Sequence, residues 1–95
     1  MIIKIADFYI DLANKAYEEG DYKLAFEYFL KADEITDSYS QGNLGWLYQT
    51  GEGGFQNYAK AFDWYLKSAK QGDAFSQNKI GIFYFNGYGV NKSYK

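Results

Sequence analysis

A stretch of sequence that occurs twice, 36 residues apart, constrains the fold of this chain more than any other feature. Its first copy begins at Asn43 and reads NLGWLY with GEG behind it, and its second begins at Lys79 and reads KIGIFY with GYG behind it. In this register, 13 of the 38 residues in 22–59 are identical to those in 58–95. A fixed period of this length is typical of a solenoid, in which each unit buries its apolar face by stacking on the next.

The composition excludes several classes of function. The 95 residues include no Cys, His, Arg or Pro, so all ten basic residues are Lys. Without Cys or His, the usual zinc, haem and iron–sulfur sites and the histidine-activated nucleophiles are excluded. The formal net charge is −2 and the lysines are scattered, so they form no basic stripe for a nucleic-acid backbone. We therefore expect no cofactor, no metal, no catalytic residues and no nucleic-acid partner.

The sequence contains no apparent secretion signal or membrane span. The apolar residues 1–6 are followed by Asp7 and Asp11, which interrupt any run of signal length. No other stretch approaches the length that crosses a bilayer. We expect a soluble, cytoplasmic chain with no membrane partner.

Apolar residues recur with helical spacing in five segments, which predicts an all-α fold. The predicted helices cover residues 3–18, 22–35, 38–50, 57–71 and 74–86. Gly20 and Gly72 are expected to end the helices before them, and Asp21, Asp37 and Asp73 to cap the helices after them. Successive helices joined by such turns form antiparallel hairpins, and we name the first helix of each hairpin the A helix and the second the B helix.

Two glycines one period apart predict close contact between helices. Gly45 and Gly81 each lie inside a predicted A helix, where Gly costs about 1 kcal/mol relative to Ala. Their recurrence is expected where a side chain would not fit. Most of the predicted core consists of aromatic and aliphatic residues at equivalent positions of the period: Phe26, Phe29, Leu44, Tyr48, Phe62, Tyr65, Ile80 and Tyr84.

The combined pattern resembles the Sel-1-like repeat, a relative of the tetratricopeptide repeat with a longer loop between its helices. The matching residues are Gln41, Leu44, Gly45, Tyr48, Gly51, Gly53, Tyr58, Ala61, Phe62, Tyr65, Leu66, Lys67, Ala69, Gly72 and Asp73. A second copy restarts with Gln77, Ile80, Gly81, Tyr84, Gly87, Gly89 and Val90. The segment Gly53-Gly54-Phe55 departs from the pattern, because the family usually has Gly-Val there.

This resemblance divides one repeat domain, residues 1–95, into three units. Residues 1–36 look like an ordinary tetratricopeptide hairpin with a short turn, residues 37–72 like a Sel-1-like repeat, and residues 73–95 like a partial one. The family implies an α-solenoid of about two and a half hairpins. It also implies that the A helices line a concave surface that binds proteins or peptides, with no catalytic residues.

The resemblance also implies which side chains face the concave surface. They are Tyr17, Tyr39, Trp46, Gln49, Phe75, Asn78, Ile82 and Phe85, with Ile10, Asn14 and Asn86 on the same side. Large apolar groups mixed with amides suit a groove that holds a peptide or a helix. The alternative is that a short solenoid curls enough to bury some of these side chains.

The sequence stops where a third B helix is expected, which predicts an exposed apolar end. Ile80, Phe83 and Tyr84 would be partly open to water there, an arrangement that soluble monomers avoid. Further repeats, a second copy of the chain in a homodimer, or another partner could cover this end.

We predict a non-catalytic module for protein–protein interaction. A small inhibitor or immunity protein that binds a toxin or an enzyme is the nearest alternative, and a structural spacer is another. An enzyme that uses paired carboxylates or tyrosines would need two carboxylates converging in a cleft, and the pattern places none there.

Overall fold

The computed structural model describes residues 2–33, 38–54 and 56–88, and within them the chain forms five α-helices. They are α1 (Ile2–Glu18), α2 (Tyr22–Asp33), α3 (Ser38–Thr50), α4 (Tyr58–Lys70) and α5 (Ala74–Asn86). Each helix packs against the next one in the chain. The predicted α-solenoid is confirmed, with α1, α3 and α5 as A helices and α2 and α4 as B helices.

The turns begin and end the helices largely as predicted. Gly20 and Gly72 have φ angles of +82° and +95°, in the left-handed region that favours glycine. The carboxylate of Asp73 accepts a backbone N–H three residues further on at 2.9 Å, so Asp73 is the N-cap of α5. Asp21 makes the same kind of contact at 3.2 Å. The predicted cap Asp37 lies outside the described residues.

The loop between α3 and α4 contains a cap that the pattern did not indicate. Asn57 precedes α4 in an extended conformation, and its side-chain oxygen accepts the backbone N–H of Lys60 at 3.0 Å. Helix α4 therefore begins one residue later than predicted. Residues 51–57 separate α3 from α4, whereas residues 19–21 suffice between α1 and α2.

Gly45 lies in close helix contact, as its position predicts. A Cβ atom at Gly45 would lie 2.7 to 2.9 Å from three ring carbons of Tyr65, which is fully buried. The equivalent prediction for Gly81 is wrong, because a Cβ there would have no heavy atom within 4 Å. The ring that covers Gly45 belongs to α4, and no described helix occupies the corresponding place beside α5.

The 36-residue period reappears in the contacts between aromatic rings. Equivalent pairs are Phe26 with Tyr48 and Phe62 with Tyr84, and Phe29 with Tyr39 and Tyr65 with Phe75. The ring centroids of the first two pairs are both 5.3 Å apart, and those of the second two are 6.2 and 6.0 Å apart. Successive units therefore use the same edge-to-face packing, an arrangement that aromatic rings prefer.

Two buried clusters form the core of the described residues. One contains Ala13, Ala16, Ala25, Phe29, Leu44 and Leu47, and the other contains Ala61, Phe62, Tyr65 and Phe83. Among the predicted core residues, Phe29, Leu44, Phe62 and Tyr65 are buried, whereas Tyr84 is 42% exposed.

Phe83 requires a correction to the predicted apolar end. The sequence predicts that Phe83 is partly open to water, but its side chain is 0% exposed. The reason is that Phe83 lies on the side of α5 that packs against α4. Its ring lies 5.5 to 5.9 Å, centroid to centroid, from those of Tyr58, Tyr65 and Tyr88. The apolar groups that remain at this end are Ile80, which is half-buried, and Tyr84.

The two glycines provide a matched pair of stability tests. Gly45→Ala is expected to destabilise the fold by about 1–3 kcal/mol, because the added methyl group overlaps the buried Tyr65 ring. Gly81→Ala meets open space, so the better helix propensity of Ala is expected to stabilise the fold by up to about 1 kcal/mol. Urea unfolding followed by circular dichroism measures both changes. Equal transition midpoints for the two variants would contradict the conclusion that Gly45 is in close contact and Gly81 is not.

Candidate functional site

A groove of about 430 Å³ lies between the A helices. Its lining residues are Tyr17 from α1, Tyr39, Gly42, Asn43 and Trp46 from α3, and Asp73 and Phe75 from the start of α5. Four aromatic rings make its walls mainly apolar, and Asp73 contributes a carboxylate. Tyr39 and Phe75 are 47% and 49% exposed, so the groove is open to solvent and to a partner.

Small side chains bring α3, α4 and α5 close together beneath the groove. A Cβ atom at Gly42 would lie 3.0 Å from the hydroxyl oxygen of Ser76. The Ser76 hydroxyl donates to Ser68 Oγ at 2.8 Å, and the Ser68 hydroxyl donates to the carbonyl of Ser38 at 2.7 Å. These short contacts join the second and third units by hydrogen bonds as well as by apolar packing.

A chain of hydrogen bonds fixes the wall formed by α1 and α3. The indole N–H of Trp46 donates to the hydroxyl oxygen of Tyr17 at 3.0 Å. The Tyr17 hydroxyl in turn donates to Glu52 Oε1 at 2.7 Å. Burial of the hydroxyl, followed by its hydrogen bond to Glu52, raises the pKa of Tyr17 above its ordinary value of 10. The first hairpin is thereby tied to the loop that follows α3.

Tyr39 is held in a similar way on the other side of the groove. Its hydroxyl donates to Asn14 Oδ1 at 3.1 Å, which joins α3 to α1. The side-chain amide of Asn43 donates to the backbone carbonyl of Tyr39 at 2.8 Å. Both tyrosines of the groove therefore use their hydroxyl hydrogens within the chain.

A lysine lies against two of the groove's rings. The Nζ atom of Lys79 is 5.1 Å from the ring centroid of Trp46 and 5.5 Å from that of Phe75. Both distances fall within the range of a cation–π interaction. Lys79 is half-buried, and it contacts the rings from α5 without lining the groove itself.

Four of the eleven predicted concave residues come together at the groove. Tyr17, Tyr39, Trp46 and Phe75 line it. Gln49 does not, because its side-chain oxygen accepts the hydroxyl of buried Tyr65 at 2.7 Å and so supports the core.

Three further predicted residues lie along α5 beyond the groove. Asn78, Ile82 and Phe85 are all exposed, Ile82 by 37% and Phe85 by 71%. With Phe75 they share one side of the helix, because they are spaced by three or four residues. Their role in binding remains a prediction.

The groove also contains residues that the sequence pattern did not indicate as concave. Gly42 is equivalent to Asn78, which is predicted to be concave, but Gly42 has no side chain to suggest a contact; Asn43 is equivalent to Lys79, which is not predicted to be concave. Asp73 was recognised as a helix cap, and its second position, at the groove, depends on how α5 meets α3. Glu52 does not line the groove, but it accepts the hydroxyl of Tyr17, a contact that its place in a loop does not indicate.

The described side chains and helices also bear on other classes of function. No group of three or more His, Cys, Asp or Glu side chains among them is arranged to hold a metal ion. Within the same part of the chain, no helix combines the length and apolar character needed to cross a bilayer.

The stacked hairpins define the chain as a helical repeat protein, and comparison with family models gives the family. The model described as Sel1 repeat matches residues 6–32, 38–73 and 74–95. The chain therefore belongs to the Sel1 repeat family. Repeats of this family are generally modules for protein–protein interaction.

Solved structures of similar proteins support the same assignment. A Sel1 repeat protein from Oxalobacter formigenes is 36% identical to this chain, with a TM-score of 0.75 over 78% of it. A protective antigen present in uropathogenic Escherichia coli strains, which displays an SLR fold, is 33% identical, with a TM-score of 0.76 over 96%. The matched regions span 30% and 19% of those two chains. No curated protein matches the chain.

Removing the Tyr17 hydroxyl tests the hydrogen-bond chain of the groove. Tyr17→Phe keeps the ring but leaves Trp46 and Glu52 without their shared partner, so the free energy of unfolding is expected to fall by about 1 kcal/mol at neutral pH. Because the pKa of Tyr17 is raised in the folded state, the unfolded chain releases this proton first as the pH increases. The stability due to the hydroxyl is therefore present below pH 10 and is lost above it.

Urea unfolding of the wild type and of Tyr17→Phe, near pH 7 and again near pH 11, measures this effect. The difference in stability between them should narrow at the higher pH. Tyr28→Phe is the control, because it removes a tyrosine hydroxyl from a ring that packs on Tyr9 and the first core cluster, outside this hydrogen-bond chain. A difference that is unchanged at alkaline pH would contradict the proposed linkage.

Proposed function

We propose that this chain is a non-catalytic module that binds a protein or peptide in the groove between its A helices. The observation that carries the proposal is the set of four aromatic rings around an open cavity of about 430 Å³. Contiguous exposed apolar patches on soluble proteins commonly mark sites of interaction with a partner. Trp and Tyr are also the residues that most often supply the binding energy of protein interfaces.

The exposed side of α5 extends this surface beyond the groove. Phe75 is at the groove, and Ile82 and Phe85 follow on the same side of the helix. An extended or helical segment of a partner could therefore place one side chain in the groove and others along α5. Family membership supports the same class of function, since Sel1 repeats generally mediate protein–protein interaction.

Selection from a displayed random peptide library tests the proposal. We expect peptides that bind the wild-type chain and lose about 30-fold in affinity to Trp46→Ala, since truncation of a central aromatic anchor commonly costs 2 kcal/mol or more. Trp64→Ala is the matched control, because Trp64 is the other tryptophan and packs against the first core cluster, away from the groove. Failure to select any peptide, or equal loss of binding in both variants, would contradict binding in this groove.

We also propose that a second copy of the chain covers the end face, defined as Ile80, Gly81 and Tyr84 on α5. Gly81 has open space where the equivalent Gly45 has the ring of Tyr65, and Tyr84 is 42% exposed. An apolar surface with room beside a glycine suits the packing of a further ring or helix. This observation supports a homodimer, one of the three ways of covering this end that the sequence leaves open, with Phe83 removed from the contact surface.

The solution mass tests self-association at the end face. Light scattering is expected to give twice the chain mass of 11.0 kDa for the wild type and the chain mass itself for Tyr84→Lys. A charged side chain at this position would remain buried in a dimer without a partner, which is unfavourable. Phe8→Lys is the control, because Phe8 is 59% exposed on α1. A wild-type monomer would contradict the dimer.

A further inference from the structure

We propose that the groove receives a lysine side chain of the partner protein, with the ammonium group against the aromatic rings and beside Asp73. This inference rests on the binding function proposed above and adds the chemistry of the bound group. It follows from the hydrogen bonds already made by the groove's donors, from the acceptors that remain, and from the position of Lys79.

The hydrogen-bond donors of the groove's aromatic side chains are already in use. The hydroxyls of Tyr17 and Tyr39 donate to acceptors within the chain at 2.7 and 3.1 Å. The indole N–H of Trp46 donates at 3.0 Å, and one of the two amide hydrogens of Asn43 donates at 2.8 Å. A carboxylate or phosphate of a partner would need several donors, and of these side chains only Asn43 has a second N–H to offer without breaking a present bond.

Acceptors and ring faces, by contrast, remain available. Asp73 accepts the backbone N–H of Ser76 at 2.9 Å through one oxygen, and a carboxylate has about four acceptor positions in all. The faces of Trp46, Phe75 and the tyrosines carry partial negative charge, which attracts cations. The groove thus combines apolar walls for a methylene chain with a carboxylate for its charged end, a combination that fits lysine.

Within the chain, the ammonium group of Lys79 already lies against two of these rings. Its ammonium nitrogen lies 5.1 Å from the centroid of Trp46 and 5.5 Å from that of Phe75. Lys79 is therefore an internal competitor at the edge of the groove, and its charge also repels a second cation. A partner lysine must displace it from the rings or share them with it, so removal of Lys79 should strengthen the binding of lysine.

Nuclear magnetic resonance of the two tryptophan indole groups tests the proposal directly. The probes are three capped tripeptides, acetyl-Ser-X-Ser-amide, in which X is lysine, norleucine or glutamate. We expect the lysine peptide to shift the indole resonance of Trp46 in a saturable way and to leave that of Trp64 unchanged. Norleucine has nearly the shape of lysine without its charge, so its peptide should bind at least about fivefold more weakly. The glutamate peptide should not bind.

Three variants separate the roles of the charges. Lys79→Met should bind the lysine peptide about three- to tenfold more tightly, because it keeps the apolar stem and removes the competing ammonium. Lys67→Met is the matched control, since Lys67 lies 4.3 Å over the ring of Trp64 and away from the groove. Asp73→Asn should weaken binding by a similar factor while retaining the N-cap of α5, because Asn caps helices as well as Asp does.

Other results would overturn the inference. Equal binding of the norleucine and lysine peptides would identify an apolar groove without cation selectivity. Stronger binding of the glutamate peptide would show that the groove prefers an anion. The absence of any shift at Trp46, or an unchanged affinity in Lys79→Met, would also refute it. None of these results contradicts the proposed function if library peptides still bind in a manner that depends on Trp46.

Discussion

The ring of Tyr65 lies where a side chain at position 45 would otherwise stand, and this one contact connects most of the second half of the chain. Gly45 lets α3 approach the ring, with 2.7 to 2.9 Å between the place of a Cβ atom and the ring carbons. The opposite helix also meets the ring, through Phe75 and Phe83 at centroid distances of 6.0 and 5.5 Å. The hydroxyl of Tyr65 donates to Gln49, so the buried polar atom is satisfied. One side chain therefore joins three helices.

The groove depends on the same contact. Trp46 follows Gly45 directly, and Phe75 packs on Tyr65, so the buried ring helps to fix the distance between two walls of the groove. Tyr17 supplies the third wall from the first hairpin, and its hydroxyl oxygen accepts the indole N–H of Trp46. Since packing in a protein interior transmits small displacements, a change at Gly45 should be felt at the groove even though this residue does not line it.

The period predicted the parts of the fold that each unit must repeat, and it could not predict the parts that depend on neighbours. Gly45 and Gly81 occupy equivalent positions, but only Gly45 has a described helix packed against it. A repeated residue therefore has its packing role only where that neighbouring helix is present. The prediction for Phe83 is wrong because α5 carries apolar residues on several sides, including exposed Ile82 and Phe85, so no polar face indicates which side of the helix is buried. The hydrogen bond between Tyr17 and Glu52 crosses 35 residues and has no counterpart in the period. The aromatic residues of the groove could thus be predicted from the sequence, and its polar contacts could not.

Positions at which the two similar units differ contribute much of the groove's chemistry. Asn43 and Lys79 are equivalent, but the amide of Asn43 donates to a carbonyl of its own helix, whereas the ammonium of Lys79 lies over rings from both units. Trp46 is equivalent to Ile82, which lies outside the groove. The repeated residues determine how the helices stack, so substitution at these unrepeated positions should change the bound group with little effect on the solenoid. In a repeat protein of this kind, selectivity for a partner can therefore vary almost independently of the stability of the stack.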